Sequence, residues 1–123
     1  MGELVLIVDD NDRNLRLARD VLRHAGLRTL EAATGEDALE LAALESPDVI
    51  LMDIRLPDME GSDVLRTLKQ DAETAPIPVV ALTSFAMKGD REWFLSTGFD
   101  GYLAKPISVR EFPDQVRGFC RAR

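Results

Sequence analysis

Apolar and polar positions follow two alternating patterns along this chain. Short unbroken apolar runs each give way to a segment whose apolar residues recur every three or four positions. "LVLIV" (4–8) is the first run, continuous as in a strand buried on both faces. After "DDND", Leu15, Ala18, Val21, Leu22 and Ala25 share one helical face, and Gly26 ends the predicted helix. "RTLEA" (28–32) predicts a weaker, more exposed strand, and the Ala-, Leu- and Glu-rich stretch 35–45 predicts a second helix. "DVILMD" (48–53) predicts another buried strand, with "LPDMEG" as the loop after it. A helix over 62–70 follows, turning Val64, Leu65 and Leu68 inward. "IPVVALT" (77–83) predicts a strand, followed by a helix around Met87 to Thr97, and "GYLAK" (101–105) predicts the last strand. Ser108 opens the last helix. One conflict stays open there: Ser108 and Glu111 form a capping-box pattern, yet Pro113 falls inside the helix that such a box would start. Either the helix begins later or its first turn is distorted.

Five βα units in succession predict an α/β domain, a doubly wound parallel sheet with right-handed crossovers and helices on both faces. One domain spanning 1–123 is expected, with no linker, low-complexity segment or further repeat. A chain of 123 residues buries roughly two thirds of the surface it exposes when unfolded.

In such folds ligands bind at the carboxyl ends of the strands. The first predicted strand ends in Asp9-Asp10, the third in Asp53, the fourth in Thr83-Ser84 and the fifth in Lys105. The second offers only Ala32 and Ala33, and is expected at the sheet edge. An Asp after a strand is commonly a turn residue or a helix cap, and Asp12 is read as the cap of the first helix. Coincidence at four strand ends is not explained that way. Clustered carboxylates repel, so one must take up a proton or all must share a cation. Oxygen donors without His or Cys favour Mg²⁺, with Mn²⁺ as an alternative. A divalent ion, an ammonium and a hydroxyl together suit phosphoryl oxygens. Asp53 is then the candidate nucleophile, able to form an acyl phosphate.

The remaining composition narrows the partners. A net charge of −7 argues against nucleic acid. No apolar run approaches the ~20 residues of a membrane span, and the N-terminus reads as neither a signal peptide nor a myristoylation site. With Cys120 alone there is no internal disulfide, so a cytoplasmic protein is expected. Arg117, Arg121 and Arg123 are read as partners for the end of a helix dipole. His24, at the end of the first helix, is read as a solvated terminus and not as a phosphodonor.

The segments "LVLIVDDN", "ILMDIRLPDMEG", "VVALTS" and "GYLAKPIS", in this order and spacing, resemble receiver domains of two-component response regulators, the CheY-like fold. The tract "VVALTSFAMKGD" is similar to single-domain regulators of the DivK type and to receiver modules of hybrid histidine kinases. The resemblance implies a sheet order of 2-1-3-4-5 and a phosphoacceptor at Asp53. It further implies Mg²⁺ held by Asp10 and Asp53 with help from Asp9 and the Arg55 carbonyl, Thr83 bonded to the phosphoryl group, and Lys105 paired with it. Tyr102 occupies the aromatic switch position, and Pro106 the place where a cis peptide is usual. Arg55 and Phe85 fall at sites that tune the lifetime of the phosphoryl bond, and their bulk predicts slow self-hydrolysis. The implied partners are a histidine kinase or a histidine phosphotransfer protein, and a downstream protein target. Trp93, flanked by Leu95, is expected on the outer face of its helix, either anchoring that target or packed on a neighbouring helix. No output domain is read in these residues, which leaves a partner-binding protein or a module of a longer chain.

Three rival readings fit less well. A haloacid-dehalogenase-type phosphatase needs a second Asp two places after the nucleophile, where Arg55 stands. A flavodoxin-like nucleotide binder needs a Ser/Thr/Gly-rich phosphate loop, where "DDNDRN" stands. A binding-only receiver would have lost Asp53, Thr83 or Lys105, and all three are present.

Overall fold

The continuous apolar runs become strands whose alternate residues feed two separate cores. The computed structural model describes residues 2–83, 90–105 and 107–121. The strands are β1 (Leu4–Val8), β2 (Arg28–Ala32), β3 (Val49–Asp53), β4 (Val79–Thr83) and β5 (Gly101–Ala104). The helices are α1 (Asp12–His24), α2 (Gly35–Glu45), α3 (Gly61–Gln70), α4 (Asp90–Thr97) and α5 (Phe112–Phe119). All strands are parallel, in the order β2-β1-β3-β4-β5. On one face Leu6, Val8, Ile50, Met52, Val79 and Ala81 pack under α2, α3 and α4. On the other, Val5, Ile7, Val49, Leu51, Val80 and Leu82 pack under α1 and α5. Each central strand is therefore apolar up to its carboxyl end, because neighbouring side chains enter different cores. The edge strand β2 leaves Arg28 and Glu31 exposed, as its mixed sequence predicts.

Several boundaries differ from the sequence expectation, each for a local reason. Asn11, not Asp12, is the N-cap of α1: its side chain accepts from the Asn14 N–H at 3.1 Å, and Asp12 is the first helical residue. Gly26 does end that helix, with a φ of 95° that favours glycine. β4 starts at Val79 and not Ile77, since Pro78 has no N–H to give and the Val79 N–H goes to Asp100 Oδ2 at 2.7 Å. Helix α3 begins one residue before the expected span, and of the helix expected over 87–97 only α4 falls within the described residues. Lys105 lies just past β5, although its N–H still reaches the Thr83 carbonyl at 2.7 Å.

The conflict at Pro113 resolves in favour of a later start. A turn over 109–111 precedes α5, in which Pro113 is the second residue, where the missing N–H is not needed. Ser108 still caps that turn, its Oγ accepting from the Glu111 N–H at 3.4 Å.

The C-terminal arginines do meet helix ends, but those of α1 and α2 and not that of their own helix. Arg117 donates to the carbonyl of Ala25, the C-cap of α1. Arg121 donates to the carbonyl of Ser46, the C-cap of α2, at 3.4 Å. Arg123 lies outside the described residues. Cys120 is half-buried, and burial pushes its thiol up to about 11, so it stays protonated and unreactive at neutral pH.

Asp48, expected to open β3, instead stands just before it and fastens the amino end of the sheet. Its carboxylate accepts from the Leu4 N–H at 2.7 Å, its N–H donates to the Leu4 carbonyl at 2.8 Å, and its own carbonyl accepts from the Arg121 N–H at 3.0 Å. It is buried, so truncation strands polar groups away from water. Asp48→Ala is expected to cost about 1–3 kcal/mol and to lower the melting temperature by several degrees. Thermal denaturation checks this, and the chemistry at the opposite rim should be unaffected.

Candidate active site

Sheet register brings the predicted site residues together. Val8 pairs with Met52 across β1 and β3, so Asp9 and Asp53, the next residue on each strand, stand side by side. Asp53 pairs with Leu82, which puts Thr83 one step further out on β4, and Thr83 pairs with Ala104, which puts Lys105 beyond it. Neighbouring strands are about 4.8 Å apart, and carboxylate oxygens of Asp9, Asp10 and Asp53 lie within 4.8 Å of one another.

Asp9 is buried, Asp10 is exposed, and Asp53 is in between. Lys105 reaches back past the end of β4, its Nζ 2.8 Å from Asp9 Oδ2 and 3.3 Å from Asp53 Oδ2. The other oxygen of each carboxylate accepts a backbone N–H two residues on. Asn11 donates to Asp9 Oδ1 and Arg55 donates to Asp53 Oδ1, both at 3.0 Å. Both side chains are thus held at both oxygens. The start of α3 passes directly behind: a Cβ on Gly61 would fall 2.9 Å from the Asp53 carbonyl oxygen, so only glycine lets the helix approach so closely.

The charges do not balance. Burial, with the repulsion of Asp9 adding to it, raises the Asp53 carboxyl above its ordinary value; the Arg55 N–H and the Lys105 charge offset this only in part. Lys105 is also partly buried, which by itself lowers its pKa. The bond and charge of Asp9, followed by those of Asp53, outweigh that and hold the ammonium above its ordinary value. Among the described residues, one ammonium, paired with Asp9 and Asp53, thus stands at a cluster of three carboxylates. The oxygen-only donor set with excess negative charge fits a hard divalent cation that retains some of its water.

Thr83 is buried at the rim. Tyr102 is half-buried on β5 and stacks on Phe94 at 5.5 Å between ring centroids. Trp93 and Leu95 are on the outer face of α4, 50% and 45% exposed, as expected from the helical pattern. The Trp93 ring meets Phe94 edge-on at 5.1 Å, so one aromatic row runs from β5 to the surface of α4. The Arg55 side chain is exposed, as is that of His24. Ser84, Phe85, Met87 and Pro106 lie outside the described residues.

Sequence reasoning missed Asp58, taken only as part of a loop. Its carboxylate caps the start of α2, and the N–H groups of Gly35 and Glu36 hold it below the usual carboxylate range. An Asp in a loop carries no mark of which distant helix it will cap.

A family model described as a response regulator receiver domain matches residues 5–117. The polar-differentiation response regulator DivK of Brucella ovis is 44% identical over 119 residues, covering 97% of each chain. The receiver domain of a sensor histidine kinase from Pseudomonas aeruginosa PAO1, solved with a magnesium ion in its active-site cleft, is 34% identical. It superposes with a TM-score of 0.86 over 97% of this chain and 98% of that one. The chemotaxis response regulator CheY4 of Vibrio cholerae shares the fold, with a TM-score of 0.89 at 24% identity over 97% and 99% of the two chains. Among the described residues no helix is long and apolar enough to cross a membrane.

The raised Asp53 carboxyl has a stability consequence. Its folded pKa lies above the unfolded value near 3.8, so the ionised form weakens the fold at neutral pH, and stability is recovered as pH falls through the folded value. In chelator at pH 7, Asp53→Asn is expected to melt at a higher temperature than wild type. Adding Mg²⁺ should raise wild type more than the variant and narrow the gap. Differential scanning calorimetry decides, and a variant melting at or below wild type in chelator would contradict the assignment.

Proposed function

Because the chain belongs to the response regulator receiver family, we propose that Asp53 is the phosphoacceptor of a Mg²⁺-dependent switch in two-component signalling. The observation that carries this reading is the Lys105 ammonium set between Asp9 and Asp53 beside an exposed Asp10. A solved relative, the receiver domain of a Pseudomonas aeruginosa sensor histidine kinase, holds a magnesium ion in its active-site cleft, which supports the reading.

An Asp53 carboxylate oxygen forms the new O–P bond, while the P–N bond to a donor histidine breaks and its electron pair stays on the imidazole. The imidazole leaves neutral when its other nitrogen carries a proton. The donor belongs to a histidine kinase or a histidine phosphotransfer protein. Asp9, Asp10, Asp53 and the Arg55 carbonyl would hold Mg²⁺, which when bound would supply positive charge against the carboxylates and the phosphoryl oxygens. Lys105 keeps Asp9 as one partner and pairs with a phosphoryl oxygen where it now meets Asp53 Oδ2. The Thr83 hydroxyl donates to another phosphoryl oxygen. In this sense the domain catalyses its own phosphorylation; in its dephosphorylation a water oxygen bonds to phosphorus as the bond from the Asp53 oxygen to phosphorus breaks, releasing inorganic phosphate and restoring the carboxylate.

The phosphoryl group adds about −1.5 to −2 charges and three acceptor oxygens. The contacts that Thr83 and Lys105 make only in that state shift the balance between two arrangements of the last two βα units. Tyr102 follows Thr83 inward, and because Tyr102 stacks on Phe94, which touches Trp93, the change reaches the surface of α4. Trp93 and Leu95 are the anchors offered to a downstream protein target. We read the whole of 1–123 as this one cytoplasmic domain, with no nucleic-acid or membrane partner, whether it acts alone or within a longer chain.

Intact mass after incubation with acetyl phosphate tests the core of this. One phosphoryl group is expected on wild type with Mg²⁺, none without it, and none on Asp53→Asn. Lys105→Ala should slow the gain by about 10²-fold or more, the scale of removing one preorganised charge partner. The adduct should decay over minutes to hours, given the bulk of Arg55 and Phe85; loss within seconds contradicts slow hydrolysis. Phosphorylation of Asp53→Asn, or none on wild type that binds Mg²⁺ and has met a phosphohistidine donor, removes the reading.

A further inference from the structure

The loop that follows Asp53 is latched onto a helix with no residue in the site. Asp58 Oδ1 accepts from the Gly35 N–H at 2.8 Å, and Oδ2 from the Glu36 N–H at 3.0 Å. These are two of the four N–H groups that the start of α2 leaves without an intrahelical acceptor. The N-cap residue Thr34 takes a third, its Oγ1 accepting from Asp37 at 3.1 Å. The first turn of α2 is therefore capped twice, once by its own neighbour and once from a loop more than twenty residues away. Met59 adds an apolar contact, for a Cβ on Gly35 would fall 2.4 Å from Met59 Cγ. Glycine at that position leaves room for the loop to lie against the helix.

The same loop carries Arg55. It is closed by an antiparallel bridge between Arg55 and Glu60, and by the Gly61 N–H on the Ile54 carbonyl at 2.9 Å. Asp58 sits at its outer turn, between those two bridge residues in sequence. We propose that Asp58 is a positioning residue. By fastening this loop to α2 it fixes the Arg55 backbone, whose N–H orients the Asp53 carboxylate and whose carbonyl is assigned above to the metal. The inference rests on that site assignment and adds α2 as the anchor that the site depends on. A carboxylate at a helix start needs nothing more than a cap to explain it, so the test must separate capping from positioning.

Thr34 provides the control, since it caps the same turn from within the helix's own sequence, its hydroxyl accepting from the Asp37 N–H. Mg²⁺ affinity by titration calorimetry and hydrogen exchange of the Arg55 amide by NMR are measured on the full chain. Four proteins are compared: wild type, Asp58→Ala, Asp58→Asn and Thr34→Ala. Asp58→Ala is expected to weaken Mg²⁺ binding about tenfold, as loss of an outer support commonly does, and to speed Arg55 exchange. Asp58→Asn keeps one acceptor oxygen and should fall between. Thr34→Ala should lower the melting temperature yet leave Mg²⁺ affinity and Arg55 exchange at wild-type values. Wild-type affinity and exchange in Asp58→Ala would overturn the proposal. So would equal losses in Thr34→Ala, which would assign the effect to α2 stability. A wild type that binds no Mg²⁺ overturns the metal assignment instead, and Arg55 exchange then decides the latch by itself.

Discussion

The Lys105 ammonium, 2.8 Å from Asp9 and 3.3 Å from Asp53, is the contact around which the carboxyl rim is arranged. Two adjacent parallel strands in register put carboxylates side by side at their ends, an arrangement that is unfavourable without compensation. Lys105 is delivered from β5 by the strand ladder, and its own N–H is tied to Thr83 at the end of β4. A single side chain thus links the chemistry at the ends of β1 and β3 to the strand that carries Tyr102. Replacing one ammonium contact by a phosphoryl contact changes the load on all of these elements at once. In the proposed switch, this is how phosphorylation of Asp53 reaches α4.

The two ends of the sheet show opposite solutions to buried polarity. At the amino end, Asp48 has both Leu4 backbone groups and the Arg121 N–H as partners, and is purely structural. At the carboxyl end, among the described residues, one cation stands at a cluster of three carboxylates, and the Asp53 carboxyl stays raised. Stability is given up at the rim where a charged ligand is to be received, as is common at sites that must bind. The C-terminal arginines belong with the first solution: they hold the ends of α1 and α2 and leave the opposite rim untouched.

The strands and the site were legible in the sequence because both follow from short-range rules. An unbroken apolar run of five residues between polar stretches has few alternatives to a buried strand, and parallel topology collects the strand ends without further information. Asp9, Asp10, Asp53, Thr83 and Lys105 could therefore be assembled from their positions alone. What could not be read were choices between neighbours and pairings at a distance. Whether Asn11 or Asp12 capped α1 depended on a one-residue shift set by the turn at Asp9, whose carboxylate accepts from the Asn11 N–H. The reach of Arg117 to α1 and Arg121 to α2 depended on tertiary packing that charge counting does not supply.

The aromatic row in the last two βα units gives the proposed switch a physical route that does not require the sheet to deform. Phe94 is buried, stacks on Tyr102 and meets Trp93 edge-on, so it cannot accommodate a moved Tyr102 ring without a response from one of its neighbours. The β-strands are held by in-register ladders and two cores, and α1, α2 and α3 each bury a face of three or more residues. Over the described part of α4, Asp90–Thr97, the two outermost apolar residues are half exposed. Movement is cheapest where the fewest buried contacts must be broken. In the proposed switch, a displacement that begins at Thr83 passes through Tyr102 and Phe94 toward Trp93 and Leu95, along the ring contacts that join them.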